Sequence, residues 1–244
     1  MTAFPQHRTP LIGLNTSLEP DAEGWLTGLR PAYWEAVVQA GGVPVLMPQL
    51  GDPALIEAFL ERVDGFMMIG GDDLSPERLG TLPLPTTVAV DPRRERSDFL
   101  LLERLLARKI PTLSICLACQ EINVIHGGTL YQDLPFDGPP VLIRHYSRSG
   151  GVTPTHPVSV GEDSSLSAIW EGTADVTVNS SHHQAIHGLG AGLRRVAWAP
   201  DNLTEGVEVE GQPFFLGVQW HPERMPDDPL QRKLFAALVH KAIN

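Results

Sequence analysis

Cysteine is nearly absent from this chain: Cys116 and Cys119 are the only two in 244 residues. So few thiols exclude a disulfide-built scaffold, and no second C-x-x-C exists to complete a four-cysteine zinc site. Basic residues are also scarce, with 18 Lys and Arg against 29 Asp and Glu and a formal net charge of −11. A chain of this balance offers no basic face for phosphates, so no nucleic-acid partner is expected. Its one dense basic patch, DPRRER (91–96), is interleaved with acids and reads as a solvated helix start. No apolar run reaches membrane-spanning length, so no membrane partner is expected. The opening MTAFPQHRTP is polar, broken by prolines, and lacks the apolar stretch of a signal peptide. Internal repeats, low-complexity tracts and linkers are missing too. These absences leave a cytoplasmic globular protein, read as a single domain over 1–244.

What is present is alternation. LIGL (11–14), VPVLMP (43–48), FMMI (66–69) and PTLSI (111–115) are short apolar runs that read as strands. Between them, RPAYWEAVVQAGG (30–42), PALIEAFLERVDG (53–65) and SDFLLLERLLARK (97–109) have helical spacing. The first carries Tyr33, Trp34, Val37 and Val38 on its apolar face, and the third has Ser97 or Asp91 as cap. Such order predicts an α/β fold with a mostly parallel central sheet and flanking helices. From about residue 141 the texture changes to short turn-bounded runs: VLIRHYS, HPVSV, DVTVNS, LRRVAWAP, EGVEVEG and FFLGVQW. These predict extra, partly antiparallel strands, closed by an amphipathic helix over 228–243 with Asp228 as cap.

The stretch SICLACQEIN (114–123) admits three readings: a redox pair, half of a metal site, or one nucleophile with an incidental neighbour. Redox C-x-x-C pairs favour a turn between the cysteines, whereas Leu117-Ala118 favours immediate helix. The nucleophile reading accounts for more. A strand, a sharp turn at Cys116 and a helix make a nucleophile elbow, where unpaired helix N–H groups favour a thiolate. The N–H of Leu117 then lies beside any oxyanion formed there. Cys119, one turn on, reads as a small core residue. Such a nucleophile needs a base and an orienting group. WHPE (220–223) supplies His221 and Glu223, two apart in an extended segment and so on one side, although a surface pair beyond a strand would look the same.

Together these motifs resemble the class I glutamine amidotransferase-like hydrolases. Cys116 with Gln120, GGTLYQDLP (127–135) and GVQWHPE (217–223) match that superfamily. VNSSHHQAI (178–186), MIGGDDLSP (68–76) and AVVQAGGVPVLMP (36–48) look like its gamma-glutamyl-gamma-aminobutyrate hydrolase branch. The resemblance implies a flavodoxin-like fold, with Cys116 as nucleophile, His221 as general base and acid, and Glu223 as its orienting carboxylate. Gly71 and Leu117 would be the oxyanion donors, and Gln120 and His182 the substrate contacts. Asp72, Asp73 and Gln184 are candidates for reading the substrate's alpha-amino group. The implied substrate is a small gamma-glutamyl amine, cleaved through a thioester, with a homodimer as a common assembly. No metal or other cofactor is implied, and His182, His183 and His187 are read as a substrate loop rather than a metal cluster. Three positions depart from the family pattern. Ser114 and Ala118 stand where glycines are usual, and Leu117 replaces the branch's arginine. These departures keep two alternatives open: a glutaminase subunit feeding a synthase, and a non-catalytic binding protein.

Overall fold

The computed structural model describes residues 8–140, 143–146 and 152–243. The first half runs β1 (Leu11–Asn15), β2 (Ser17–Asp21), β3 (Gly24–Gly28), α1 (Pro31–Gln39), β4 (Val43–Met47), α2 (Pro53–Leu60) and β5 (Gly65–Met68). It continues through α3 (Pro76–Leu79), α4 (Pro92–Arg108), β6 (Thr112–Ile115) and α5 (Leu117–Ile125). The second half holds β7 (Leu130–Tyr131), α6 (Leu134–Asp137), β8 (Thr155–Val160), α7 (Ser165–Ile169), β9 (Asp175–Asn179) and β10 (Ala185–Ile186). It ends with β11 (Leu193–Trp198), β12 (Thr204–Val209), β13 (Phe215–Val218) and α8 (Pro229–Ile243).

One sheet runs through both halves in the order β4-β1-β5-β6-β13-β12-β11-β8-β9. Its first five strands are parallel, and the remainder continue antiparallel. The central strands are buried on both faces, as crossover helices require. In β5, Met67 faces one core with Leu113 and Ile115, while Phe66 and Met68 face the other with Leu101 and Leu105. This period-two division is why FMMI reads as an unbroken apolar run.

β13 decides where the site forms. It is late in the chain but lies beside β6, with Val218 opposite Ile115. The segment after β13 therefore emerges next to the end of β6, where Cys116 sits. Among the described residues no helix is long and apolar enough to cross a membrane.

The structure departs from the sequence reading in several elements. α1 buries Tyr33 and Val37, but Trp34 and Val38 remain partly exposed on its outer side. Of the two caps that the sequence offers for α4, Asp91 is the one used, accepting from the Arg93 N–H. The β2–β3 hairpin was not foreseen, because SLEPDAEGWLTG has little apolar patterning. Of VLIRHYS, residues 143–146 are not strand, and 141, 142 and 147 lie outside the described residues.

Gly13 in β1 lies opposite Phe66 in β5, and a Cβ there would meet that ring at 2.5 Å with Phe59 3.1 Å away. Gly13→Ala should therefore cost about 1–3 kcal/mol by overpacking. Chemical denaturation checks this; an unchanged midpoint would show that the Phe66 ring is free to move aside.

Candidate active site

Cys116 occupies the junction of β6 and α5 with φ of 53° and ψ of −105°. A non-glycine residue at positive φ carries about 1–3 kcal/mol of strain, so its surroundings must enforce it. They do so from both sides. The Cys116 N–H donates to the Val218 carbonyl of β13 at 2.8 Å. Its carbonyl accepts from the N–H groups of Cys119 and Gln120 at 3.0 and 3.2 Å. Cys119 is wholly buried within the core under α5, where burial pushes its thiol well up, and both cysteines are free.

His221 and Glu223 approach from beyond β13. The expected extended spacing is not what joins them: a 3₁₀ turn, Pro222–Arg224, folds the carboxylate back, with His221 Nδ1 2.7 Å from Glu223 Oε1. Asn179, at the end of β9, clamps the His221 backbone from both ends. It accepts the His221 N–H at 2.9 Å and donates to the His221 carbonyl at 2.7 Å. Burial would lower the imidazole pKa, but the Cys116 sulfur and then the Glu223 carboxylate outweigh it and raise His221 to about 9.

The loop after β5 closes the opposite side. A Cβ on Gly70 would lie 3.0 Å from His221 Cε1, 3.0 Å from the Tyr33 hydroxyl and 3.3 Å from Cys116 Cβ. Only glycine leaves room for that approach. The Gly70 N–H is taken by the Tyr33 hydroxyl at 3.2 Å. Among the described residues no acceptor takes the N–H of Gly71 or of Leu117. Both residues line the same cavity as Cys116, which has a volume of about 380 Å³.

What holds this loop comes from the DPRRER segment, expected from the sequence to be solvated. Arg94 of DPRRER is not solvated but 2% exposed. It donates to the carbonyls of Gly70 at 2.8 Å and Ile69 at 3.3 Å, and to Asp98 at 3.1 Å. Asn15 completes the clamp, donating to Asp98 at 2.9 Å and accepting the Ile69 N–H at 2.8 Å. The helical spacing of Arg94 and Asp98 was visible in the chain, but nothing there says that this face turns inward.

Gln120 and His182 both line the cavity, although their polar atoms are largely committed to the protein. The Gln120 amide donates to Gln184 O at 3.0 Å and to Gln219 Oε1 at 3.1 Å, and Gln219 Nε2 lies 3.5 Å from Cys116 Sγ. His182 directs Nδ1 at Gln184 O and Nε2 at Glu205. The other two histidines of that run diverge. His183 lies between Asp73 and Asp133, which raise its pKa, and His187 stacks on Tyr131. Asp73 is thereby engaged, also accepting the Val88 N–H. Among the described residues the buried amide nitrogen of Gln184 has no hydrogen-bond partner, and exposed Asp72 lines the same cavity.

Comparison with known proteins gives the family and the fold. Residues 10–223 match the sequence profile of the family described as Peptidase C26. A Mycobacterium tuberculosis protein, named only provisionally as a glutamine amidotransferase, is 39% identical over 96% of this chain and 75% of its own length. The gamma-glutamyl-gamma-aminobutyrate hydrolase PuuD of Escherichia coli (strain K12) is 33% identical over 86% of this chain and 85% of its own. Among solved structures, the glutaminase domain of Trypanosoma brucei CTPS, with bound acivicin, superposes with a TM-score of 0.62 at 16% identity, covering 96% of this chain and 94% of that one. A glutamine amidotransferase of Thermotoga maritima gives 0.57 at 17% identity, covering 97% and 91%. The structural likenesses show a shared glutamine amidotransferase fold.

If the turn at Cys116 is strained, Cys116→Gly should be more stable than Cys116→Ala by about 1 kcal/mol, since glycine adopts positive φ freely. Thermal unfolding of the two variants checks this, and equal midpoints would mean the turn stores no strain.

Proposed function

The chain belongs to the peptidase C26 family, and on that premise we propose that it hydrolyses the gamma-glutamyl amide bond of small gamma-glutamyl amines through a Cys116 thioester. One observation carries the reading: Cys116 lines one cavity with Gly71 and Leu117, whose N–H groups have no acceptor among the described residues, and its sulfur interacts with the buried His221–Glu223 pair. In this mechanism the thiolate attacks the amide carbon, and the Gly71 and Leu117 N–H groups receive the developing oxyanion. One such donor is worth about 3 kcal/mol in a comparable hydrolase. His221, protonated at neutral pH, gives its proton to the leaving amine and then takes one from the water that cleaves the thioester. Glutamate and the free amine are released. Glu223 fixes the imidazole with Nδ1 protonated, so Nε2 is the atom that moves the proton.

Support for a gamma-glutamyl substrate comes from PuuD, a named hydrolase of that class. Incubation with a panel of gamma-glutamyl amines and with glutamine should release glutamate fastest from one of the amines. Turnover confined to glutamine would point instead to a glutaminase subunit. A diazo-ketone glutamine mimic should label wild type and Cys119→Ser but not Cys116→Ser. Failure to label wild type would sink the catalytic reading.

The pH dependence follows from His221. Its pKa is raised above 6.5, so its favourable ion pairing is fully present below 6.5 and is lost as pH rises through about 9. The rate kcat/KM should accordingly fall on the alkaline side near pH 9. Glu223→Gln should move that limb to lower pH and reduce kcat by about 10²–10⁴-fold. An alkaline limb that stays in place would mean that His221 does not set it.

A further inference from the structure

Behind the cavity wall, three histidines and a glutamate converge from separate parts of the chain. His156 lies in β8, Glu205 in β12, His182 follows β9, and His145 belongs to the segment 143–146. All four are buried. His145 Nδ1, His182 Nε2 and His156 Nε2 lie 3.4, 3.5 and 3.6 Å from Glu205 Oε1, and one ligand atom from each residue falls within 4.8 Å of all the others. A tetrahedral zinc site with bonds of about 2.0–2.1 Å has ligand-to-ligand edges of about 3.3–3.4 Å. We propose that His145, His156, His182 and Glu205 hold one zinc ion, which fastens the wall of the cavity to the sheet.

The outer hydrogen bonds of the rings set their tautomers for this. His156 Nδ1 meets the Pro157 carbonyl at 3.0 Å, and His182 Nδ1 meets the Gln184 carbonyl at 2.9 Å. A carbonyl only accepts, so these outer nitrogens carry the hydrogens and the inner ones present lone pairs. His145 Nε2 faces the Asp201 carboxylate at 2.9 Å in the same way, and its inner nitrogen has the Ser180 hydroxyl 3.3 Å off. Carboxylate or carbonyl behind each imidazole is the usual support of metal-binding histidines.

The inner atoms have a conflict that a cation removes. His156 Nε2, His182 Nε2 and both Glu205 oxygens have no hydrogen-bond partner among the described residues. Lone pairs facing a carboxylate repel. Protonating every ring instead would crowd three cations, since the His145 ring centroid is 4.7 Å from that of His156 and 5.0 Å from that of His182. A divalent cation matches the lone pairs, and Glu205 with Asp201 balances its charge. Three imidazoles and one carboxylate favour zinc over magnesium or calcium, which take oxygen ligands. Four protein ligands make the site closed, so its role is structural. It connects to the nucleophile through the protein, by way of the Glu205 carbonyl, which accepts the Gln219 N–H at 2.8 Å, and of Gln219 Nε2, 3.5 Å from Cys116 Sγ. Of the run His182, His183 and His187, only His182 belongs to this cluster.

The test uses the full chain expressed in zinc-supplemented medium and dialysed against metal-free buffer. Elemental analysis should find about one zinc per chain, retained in Cys116→Ser. His156→Ala should lose it, and Asp201→Asn should bind it about 10–100-fold more weakly. Removing the metal with a chelator should lower the unfolding midpoint, and zinc alone should restore it. Cobalt substitution should give the intense visible bands of tetrahedral Co²⁺, a readout that needs no variant and no activity. The proposal is overturned if wild type carries no zinc and its midpoint does not respond to added zinc. It is equally overturned if zinc is lost in Cys116→Ser but kept in His156→Ala, which would place the ion at the catalytic thiol.

Discussion

The backbone turn at Cys116 is the constraint on which the rest of the site depends. A cysteine at φ 53° is unfavourable in isolation. Here the β6 end is pinned to β13 through the Val218 carbonyl, and α5 begins at the next residue. The turn places Cys116, itself buried, at the strand end on the cavity wall and leaves the first helix N–H groups without intrahelical partners. Gly70 and His221 then fit around the thiol because the opposing loop has no side chain at the point of contact.

Two buried polar clamps keep the neighbours of the cysteine in place. Arg94, Asp98 and Asn15 hold the carbonyl and N–H groups of Ile69 and Gly70. Asn179 and Glu223 hold the backbone and ring of His221. In a low-dielectric interior such networks rigidify when every member is paired. Glu121, on α5, is wholly buried with neither oxygen hydrogen-bonded among the described residues. Burial, and next the Asp98 carboxylate, push its pKa well up, which favours the neutral form of a side chain whose anion would be costly here.

The three departures from the family pattern have structural homes. Ser114 and Ala118 are wholly buried on either side of the turn, so strand and helix accommodate both added Cβ atoms. The Ser114 hydroxyl has no hydrogen-bond partner among the described residues, a cost that glycine would not carry. Leu117 joins a small apolar cluster with Leu74, Val90 and Phe99, so packing alone accounts for leucine here. Its N–H, the group of chemical interest, is independent of that side chain.

Much of this was legible in the chain. Unbroken apolar runs gave the parallel strands, helical spacing gave α1, α2 and α4, and motif order placed Cys116, His221 and Glu223 together. Local patterning determines these because side-chain period and turn chemistry act over a few residues. The role of Arg94 was hidden because a charged residue near a helix start is usually solvated, and only the docking of α4 against the β5 loop buries it. The 3₁₀ turn between His221 and Glu223 was likewise invisible to an extended-strand argument. The four-residue cluster was the hardest to see, since His145, His156, His182 and Glu205 share no short motif. The sequence by itself determined the elements and the chemical groups. The tertiary structure decided which groups meet, because the β13 return and the antiparallel extension bring together residues far apart along the chain.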